Sequence, residues 1–270
     1  MEFKDILVLI DNSHQCAVRL DLAITLARKH QAHLTGLYVI SHPHYAPQGE
    51  MTAQKERQAQ ELFHSKTAGT GIQAEYLCID CAVSGDSMAD IVNSYACRKD
   101  LVIVGQSSRD REQVSVPADL PERVVLGSGR PVLVVPYAGR FDTVGERVLV
   151  AWKTGRASAR ALHDAMPFLH AAEQVIAITV TSPDDQPLSD GSPERGINTH
   201  LQRHNIRVKE EHLESGDVPV NNVVMNYAWE HGCDLLVMGV YAHFQRGSLA
   251  VGPVTRDFFE RMTLPVLMSH

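Results

Sequence analysis

Apolar runs of about five residues, several of them interrupted by polar positions, alternate along this chain with segments in which apolar residues return every third or fourth position. The runs fall at 6–10, 34–40, 74–79, 101–105 and 131–135, and again at 147–152, 174–180, 206–212, 234–239 and 264–268. A strand covered by helices on both faces must be apolar on both, so such runs predict buried strands of a parallel sheet. Between them, Met88, Ile91, Val92 and Tyr95 form one helical stripe, and Val220, Val223, Val224 and Tyr227 form its counterpart. Leu162, Ala165, Met166 and Leu169 mark another helix. One apolar stripe per helix predicts packing onto the sheet. Strand–helix alternation with short connections builds right-handed βαβ units, hence a doubly wound α/β arrangement.

The pattern occurs twice. Asp100-Leu101-Val102-Ile103-Val104-Gly105 matches Asp234-Leu235-Leu236-Val237-Met238-Gly239, and Pro131-Val132-Leu133 matches Pro265-Val266-Leu267 at the same spacing. Ile6-Leu7-Val8-Leu9-Ile10-Asp11 answers Val148-Leu149-Val150-Ala151-Trp152-Lys153. Self-similarity at a fixed period signals a tandem architecture. The expected domains are 1–138 and 146–270, joined by the polar, glycine-containing stretch between them.

Charge and composition narrow the function. The net charge is −7, and Lys and Arg are scattered singly among acids, so the basic stripe of a nucleic-acid binder is missing. No apolar run approaches the roughly 18 residues of a membrane span, and Met1–Asp5 lacks the basic opening of a secretory signal. Five cysteines, an odd number, suit a reducing compartment better than a disulfide scaffold. The expectation is a cytoplasmic protein that acts on neither nucleic acid nor membrane.

Three features resemble the universal stress protein family. The opening strand ends in Asp11-Asn12-Ser13, and Asp234–Gly239 is followed by a His-containing loop. Val254-Thr255-Arg256 then precedes the closing Pro265-Val266-Leu267. Leu120–Val125 and Ser128–Pro136 resemble the bacterial tandem, two-domain subgroup. The resemblance implies a five-stranded parallel sheet in each half, in the order 3-2-1-4-5, flanked by helices. Many members bind ATP and others have lost that ability. The nucleotide signature is Gly-x-x-Gly, nine residues, then Gly-Ser or Gly-Thr. Here Gly239, Ala242, Gly252 and Pro253 fill its four positions. Ala242 adds a Cβ where left-handed backbone or close ligand approach is expected. Pro253 has no N–H to donate, although it suits the first turn of a helix. Lys153 stands where the family commonly has an acid that bonds the nucleotide, and a lysine cannot accept a hydrogen bond. The expected ligand site of the second half is lined by Lys153, Val180, Met238, Gly239, Ala242, His243, Gly252 and Val254, at the carboxyl ends of the strands. ATP is the candidate cofactor, held more weakly than in intact members. The combined substitutions Ala242→Gly, Pro253→Ser and Lys153→Asp should strengthen its binding. The first half keeps Asp11 and Ser13 but has Ala118 and Asp119 in place of the glycine cradle, and is expected to bind no nucleotide. Asp119 is expected to occupy the positive end of the next helix itself.

Other chemistry is sparser. In the family strand order, Cys78 and Cys81 share a sheet edge with His42 and His44, a candidate Cys₂His₂ zinc or redox set, against ordinary thiols and exposed histidines. His200 and His204 share a helix face without a third ligand. Ser84-Gly85-Asp86 and Ser215-Gly216-Asp217 read as helix caps, and no Gly-x-Ser-x-Gly elbow occurs. The function expected is that of a non-catalytic tandem universal stress protein, acting through ligand or protein binding. The alternatives are ATP binding with slow hydrolysis in the second half, and metal or redox sensing in the first. The apolar closing strands at 132–135 and 266–268 are expected to pair the halves as an intrachain pseudo-dimer. A homodimer and an unnamed protein partner are further expectations.

Overall fold

The computed structural model describes residues 2–41, 50–107, 116–183, 197–245 and 248–270. The chain divides into two compact units, Glu2–Asp142 and Thr143–His270. Each is a doubly wound α/β unit.

In chain order the first unit has β1 (Asp5–Ile10), α1 (Cys16–His30), β2 (His33–Ile40), α2 (Glu50–Thr67) and β3 (Ala74–Asp80). It continues with α3 (Cys81–Ser84), α4 (Met88–Ala96), β4 (Leu101–Gly105), α5 (Leu120–Gly127) and β5 (Val132–Val135). All neighbouring strands are parallel: β1 lies between β2 and β4, β3 pairs with β2, and β5 pairs with β4. That is the order 3-2-1-4-5. Ile6, Leu7, Val8, Val102 and Ile103 are wholly buried at its centre, as two-faced burial demands.

The second unit repeats the plan with β6 (Arg147–Ala151), α6 (Arg156–Asp164), α7 (Met166–Ala171), β7 (Gln174–Thr181), α8 (Ile197–Arg203) and β8 (Val208–Glu214). Then come α9 (Val220–Glu230), β9 (Leu235–Gly239), β10 (Ala242–Gln245), β11 (Ser248–Val251), α10 (Pro253–Arg261) and β12 (Val266–Ser269). The parallel order is β8-β7-β6-β9-β12, again 3-2-1-4-5. An antiparallel hairpin, β10–β11, is added between β9 and α10. Trp229, on α9, stands in solvent at 85% exposure.

The repeated aspartates have a structural task. Asp100 accepts hydrogen bonds from the Lys4 and Asp5 backbone at 2.7 and 3.0 Å. Asp234 does the same for Gly145, Glu146 and Arg147 at 2.9–3.1 Å. Each carboxylate stitches the start of the fourth strand to the start of the first through donors that no ladder satisfies there.

Several local expectations are corrected. The stripe through Leu162 and Leu169 is two helices, broken at Ala165, because Pro167 lacks the N–H a continuous helix needs. The eighth strand starts at Val208 and not at 206. Asn205 is left-handed at φ 59° and Ile206 N–H still bonds the Leu201 carbonyl, so the helix closure occupies those residues. The Ser-Gly-Asp segments do not cap the following helices. Ser87 caps α4, accepting from Asp90 N–H at 3.3 Å, and α9 starts at Pro219 with no side-chain cap. Asp119 precedes α5 without making a capping bond.

Candidate functional site

At the carboxyl ends of the strands of the second unit lies a cavity of about 540 Å³, within the usual range for small-molecule sites. Its floor comes from strand ends: Ala151 and Trp152 after β6, Ile178 and Val180 of β7, and Met238 and Gly239 of β9. Val220 and Val224 of α9 and Phe258 of α10 add apolar wall. Thr154, Ser158, Ser182 and Thr255 contribute hydroxyls, and Lys153 is the one charged side chain of the lining among the described residues.

Six of the eight expected residues line this cavity: Lys153, Val180, Met238, Gly239, Gly252 and Val254. Ala242 and His243 are not among the lining. They open β10, where His243 is exposed and pairs across the hairpin with Ala250. Ala242 sits in a strand and not in the left-handed backbone anticipated for it. Gly239 is required for packing. A Cβ there would overlap the Ala157–Ser158 peptide and come within 2.7 Å of the Ala157 carbonyl oxygen, so the glycine lets α6 approach β9.

The backbone donors around the cradle are engaged. Val240 N–H bonds the Ser269 carbonyl at 2.8 Å, and Gly252 N–H bonds the Tyr241 carbonyl at 3.0 Å. Gly252 is the N-cap of α10 and Pro253 its first residue, so that position presents no N–H. The four residue pairs of the hairpin turn the backbone of this segment toward itself. Tyr241 links the two loops of the rim: its hydroxyl donates to the Lys153 carbonyl at 3.2 Å and lies 3.4 Å from Ser158 Oγ.

Sequence reasoning missed Tyr241, Ser158, Trp152 and Phe258. Tyr241 carried a signal, since it lies inside the altered Gly-x-x-Gly signature. Ser158 and Phe258 come from helices whose approach to the sheet has no sequence mark.

The equivalent position of the first unit holds an internal ion pair. Asp11, at the end of β1, receives Arg19 Nη2 at 2.6 Å, Ser13 N at 2.9 Å and Ser13 Oγ at 2.5 Å. Arg19 Nε donates to the Leu9 carbonyl at 3.0 Å, and its guanidinium lies against Gly105, where any Cβ would collide with it. Burial pushes the Asp11 carboxyl upward, but the Arg19 charge and the Ser13 and Arg19 hydrogen bonds outweigh it and hold it below the usual range. Burial pushes the neighbouring Cys16 thiol up. The repeat places the small, buried Ala161 where this unit has Arg19.

Of the metal and redox candidates, His42 and His44 lie outside the described residues. Cys78 is in β3 and Cys81 opens α3. Burial, with the charge of and a hydrogen bond to Glu56, pushes the Cys78 thiol up to about 12. Burial and Asp80 push Cys81 upward as well. Thiols pushed upward in this way carry little of the thiolate that redox attack needs. Among the described residues, no group of three or more His, Cys, Asp or Glu is placed to hold a metal ion. The His200 and His204 rings meet edge to face at 4.8 Å on the exposed face of α8.

A doubly wound parallel sheet with a cavity at its strand ends defines the class of open α/β folds with a crevice at the strand termini. Within it, the family model of the universal stress protein family matches residues 2–136, and the chain belongs to that family. Similar solved structures span nearly the whole chain. A universal stress protein from Archaeoglobus fulgidus DSM 4304 is 19% identical with a TM-score of 0.70, over 98% of this chain and 95% of that one. A functionally unknown protein from Pseudomonas aeruginosa PAO1 is 16% identical with a TM-score of 0.65, over 99% and 92%. No curated protein matches the chain. Among the described residues, no helix is long and apolar enough to cross a membrane.

Proposed function

We propose that this chain is a non-catalytic, cytoplasmic stress-response protein that holds one small molecule in the cavity of its second unit. The carrying observation is the lining itself: a roomy, largely apolar cavity at the strand ends, whose described residues offer hydroxyls and a lysine but no carboxylate or histidine to move a proton. Slow ATP hydrolysis is the weaker reading, because the donors that would cradle a triphosphate are bonded within the protein or lost at Pro253. All five cysteines are free, as a reducing compartment would keep them. Redox sensing is disfavoured by the raised Cys78 and Cys81 thiols.

The test is a mass spectrum of whatever leaves the purified chain on denaturation, together with a calorimetric titration against ATP. One equivalent of a small molecule, or saturable binding of an added one at this cavity, is the expected result. ATP turnover above the buffer rate by the purified chain, lost in Lys153→Ala, would overturn the non-catalytic reading.

A further inference from the structure

Resting on the ligand-binding reading above, we infer that the cavity of the second unit takes an elongated aliphatic molecule of the lipid class, and not an adenine nucleotide. Its chain fills the interior and continues across the mouth. Three observations lead there.

The first is the wall. Ile178, Met238, Val224 and Phe258 reach the cavity from β7, β9, α9 and α10, and each is buried. Four elements thus turn aliphatic and aromatic surface toward one space. Each methylene taken out of water against such surface strengthens binding about fourfold. The second is the mouth. Val180 and Val220 are half-buried. Tyr241 and Val254 line the same cavity yet stand 44% and 46% exposed. The apolar lining therefore runs from the closed interior out into solvent, and contiguous apolar surface of that kind marks a binding groove. A compact ligand seated in the interior would leave Tyr241 and Val254 in water. A chain long enough to emerge covers them. The third is the state of the backbone. A polyphosphate needs several free N–H groups converging on it. Here the Gly252 and Val240 N–H groups are given to the Tyr241 and Ser269 carbonyls, and Pro253 has none. The segment beyond Tyr241 pairs with itself as a hairpin. Apolar side chains thus stand within and beside the stretch that the nucleotide signature would use for phosphates.

The experiment titrates the full-length chain calorimetrically with octan-1-ol, decan-1-ol and dodecan-1-ol, with farnesol as an isoprenoid of equal main-chain length, and with ATP. The alcohols should bind one per chain, with decan-1-ol about 16-fold tighter than octan-1-ol, at about fourfold per methylene. Val180→Trp, which fills the interior, should weaken every alcohol. Val254→Ser, at the mouth, should shrink the gain from decan-1-ol to dodecan-1-ol while leaving octan-1-ol unchanged. Because Val180→Trp can disturb folding, its thermal transition is recorded alongside, and Val254→Ser, at an exposed position, stands as the separate test. Tighter binding of dodecan-1-ol supports a straight-chain ligand and of farnesol an isoprenoid one, both within the class. Affinity that does not rise with chain length would overturn the elongated ligand. Alcohol binding unmoved by both variants would overturn the assignment to this cavity. Tight ATP binding without alcohol binding would overturn the ligand class yet keep the cavity as a ligand site. If no probe binds and no small molecule leaves with the protein, the ligand-binding reading itself falls, and this inference with it.

Discussion

Removing Arg19 would leave the Asp11 carboxylate buried with only Ser13 to hold it. Arg19→Leu should therefore cost about 3–5 kcal/mol, and adding Asp11→Asn should recover part of it, since an uncompensated buried charge costs more than a missing pair. Chemical denaturation of the three chains measures both. The pair also fixes a pH dependence. Asp11 titrates below the ordinary carboxylate range when folded, so its contribution is complete above that range and is lost as pH falls through its depressed value. Between about pH 5 and pH 2, the parent chain should lose stability more steeply than Asp11→Asn. A second residue-scale prediction concerns Gly239. Gly239→Ala drives a Cβ into the Ala157–Ser158 backbone, so it should destabilise by about 1–3 kcal/mol, read from the thermal midpoint. The same change at a glycine kept only for phosphate approach would leave the unliganded protein untouched.

The hairpin β10–β11 changes what repair of the nucleotide signature can achieve. Ala242→Gly gains little, because Ala242 is already in comfortable extended backbone away from the cavity lining. Pro253→Ser returns one N–H and Lys153→Asp one acceptor, while the Gly252 N–H stays with Tyr241. The triple variant should gain about tenfold in ATP affinity by calorimetry, the worth of about one charge-assisted bond. A gain of several decades would mean that the hairpin opens for nucleotide. The central strands were legible within two residues or so because two-faced burial leaves an unbroken apolar run, as in Leu101–Val104 and Leu235–Met238, whereas the edge strands β3 and β8 are only partly buried and carry polar residues. The hairpin was not. Its segment, Ala242 to Val251, mixes apolar and polar residues in four-residue arms too short to show a period, and the resemblance suggested a phosphate loop there. The helix break at Ala165 was written in Pro167, but the Leu162–Leu169 stripe continues through it at helical spacing and hid it. The six lining residues found from sequence sit at strand ends, in the signature or, for Val254, beside it. Ser158 and Phe258, which were missed, reach the cavity through helix packing, which depends on contacts such as Gly239 against Ala157.

Across the whole molecule, one template has been used to two ends. The first unit fills the end of its first strand with a buried Arg19–Asp11 pair, and the second has Ala161 and Lys153 at the matching positions, Lys153 lining a cavity. Ligand effects should therefore be lopsided. With a ligand of the cavity at about 100 times its Kd, amide exchange should slow by up to roughly a hundredfold in 151–158 and 238–258 and stay unchanged in 5–40. Hydrogen-exchange mass spectrometry on the intact chain measures this. Equal protection of the two sets of segments would contradict a division of labour between the units.

The two tryptophans of the chain fall on opposite sides of the same question. Trp229 stands in water at 85% exposure, whereas Trp152 borders the cavity. Their emission is thus separable by colour and by access: iodide should quench the red-shifted light of Trp229 and spare much of that from Trp152. The surviving blue-edge signal is a built-in optical gauge of whether the cavity is filled. In Trp229→Phe that signal should persist and shift when a ligand fills the cavity, giving an occupancy reading without any label.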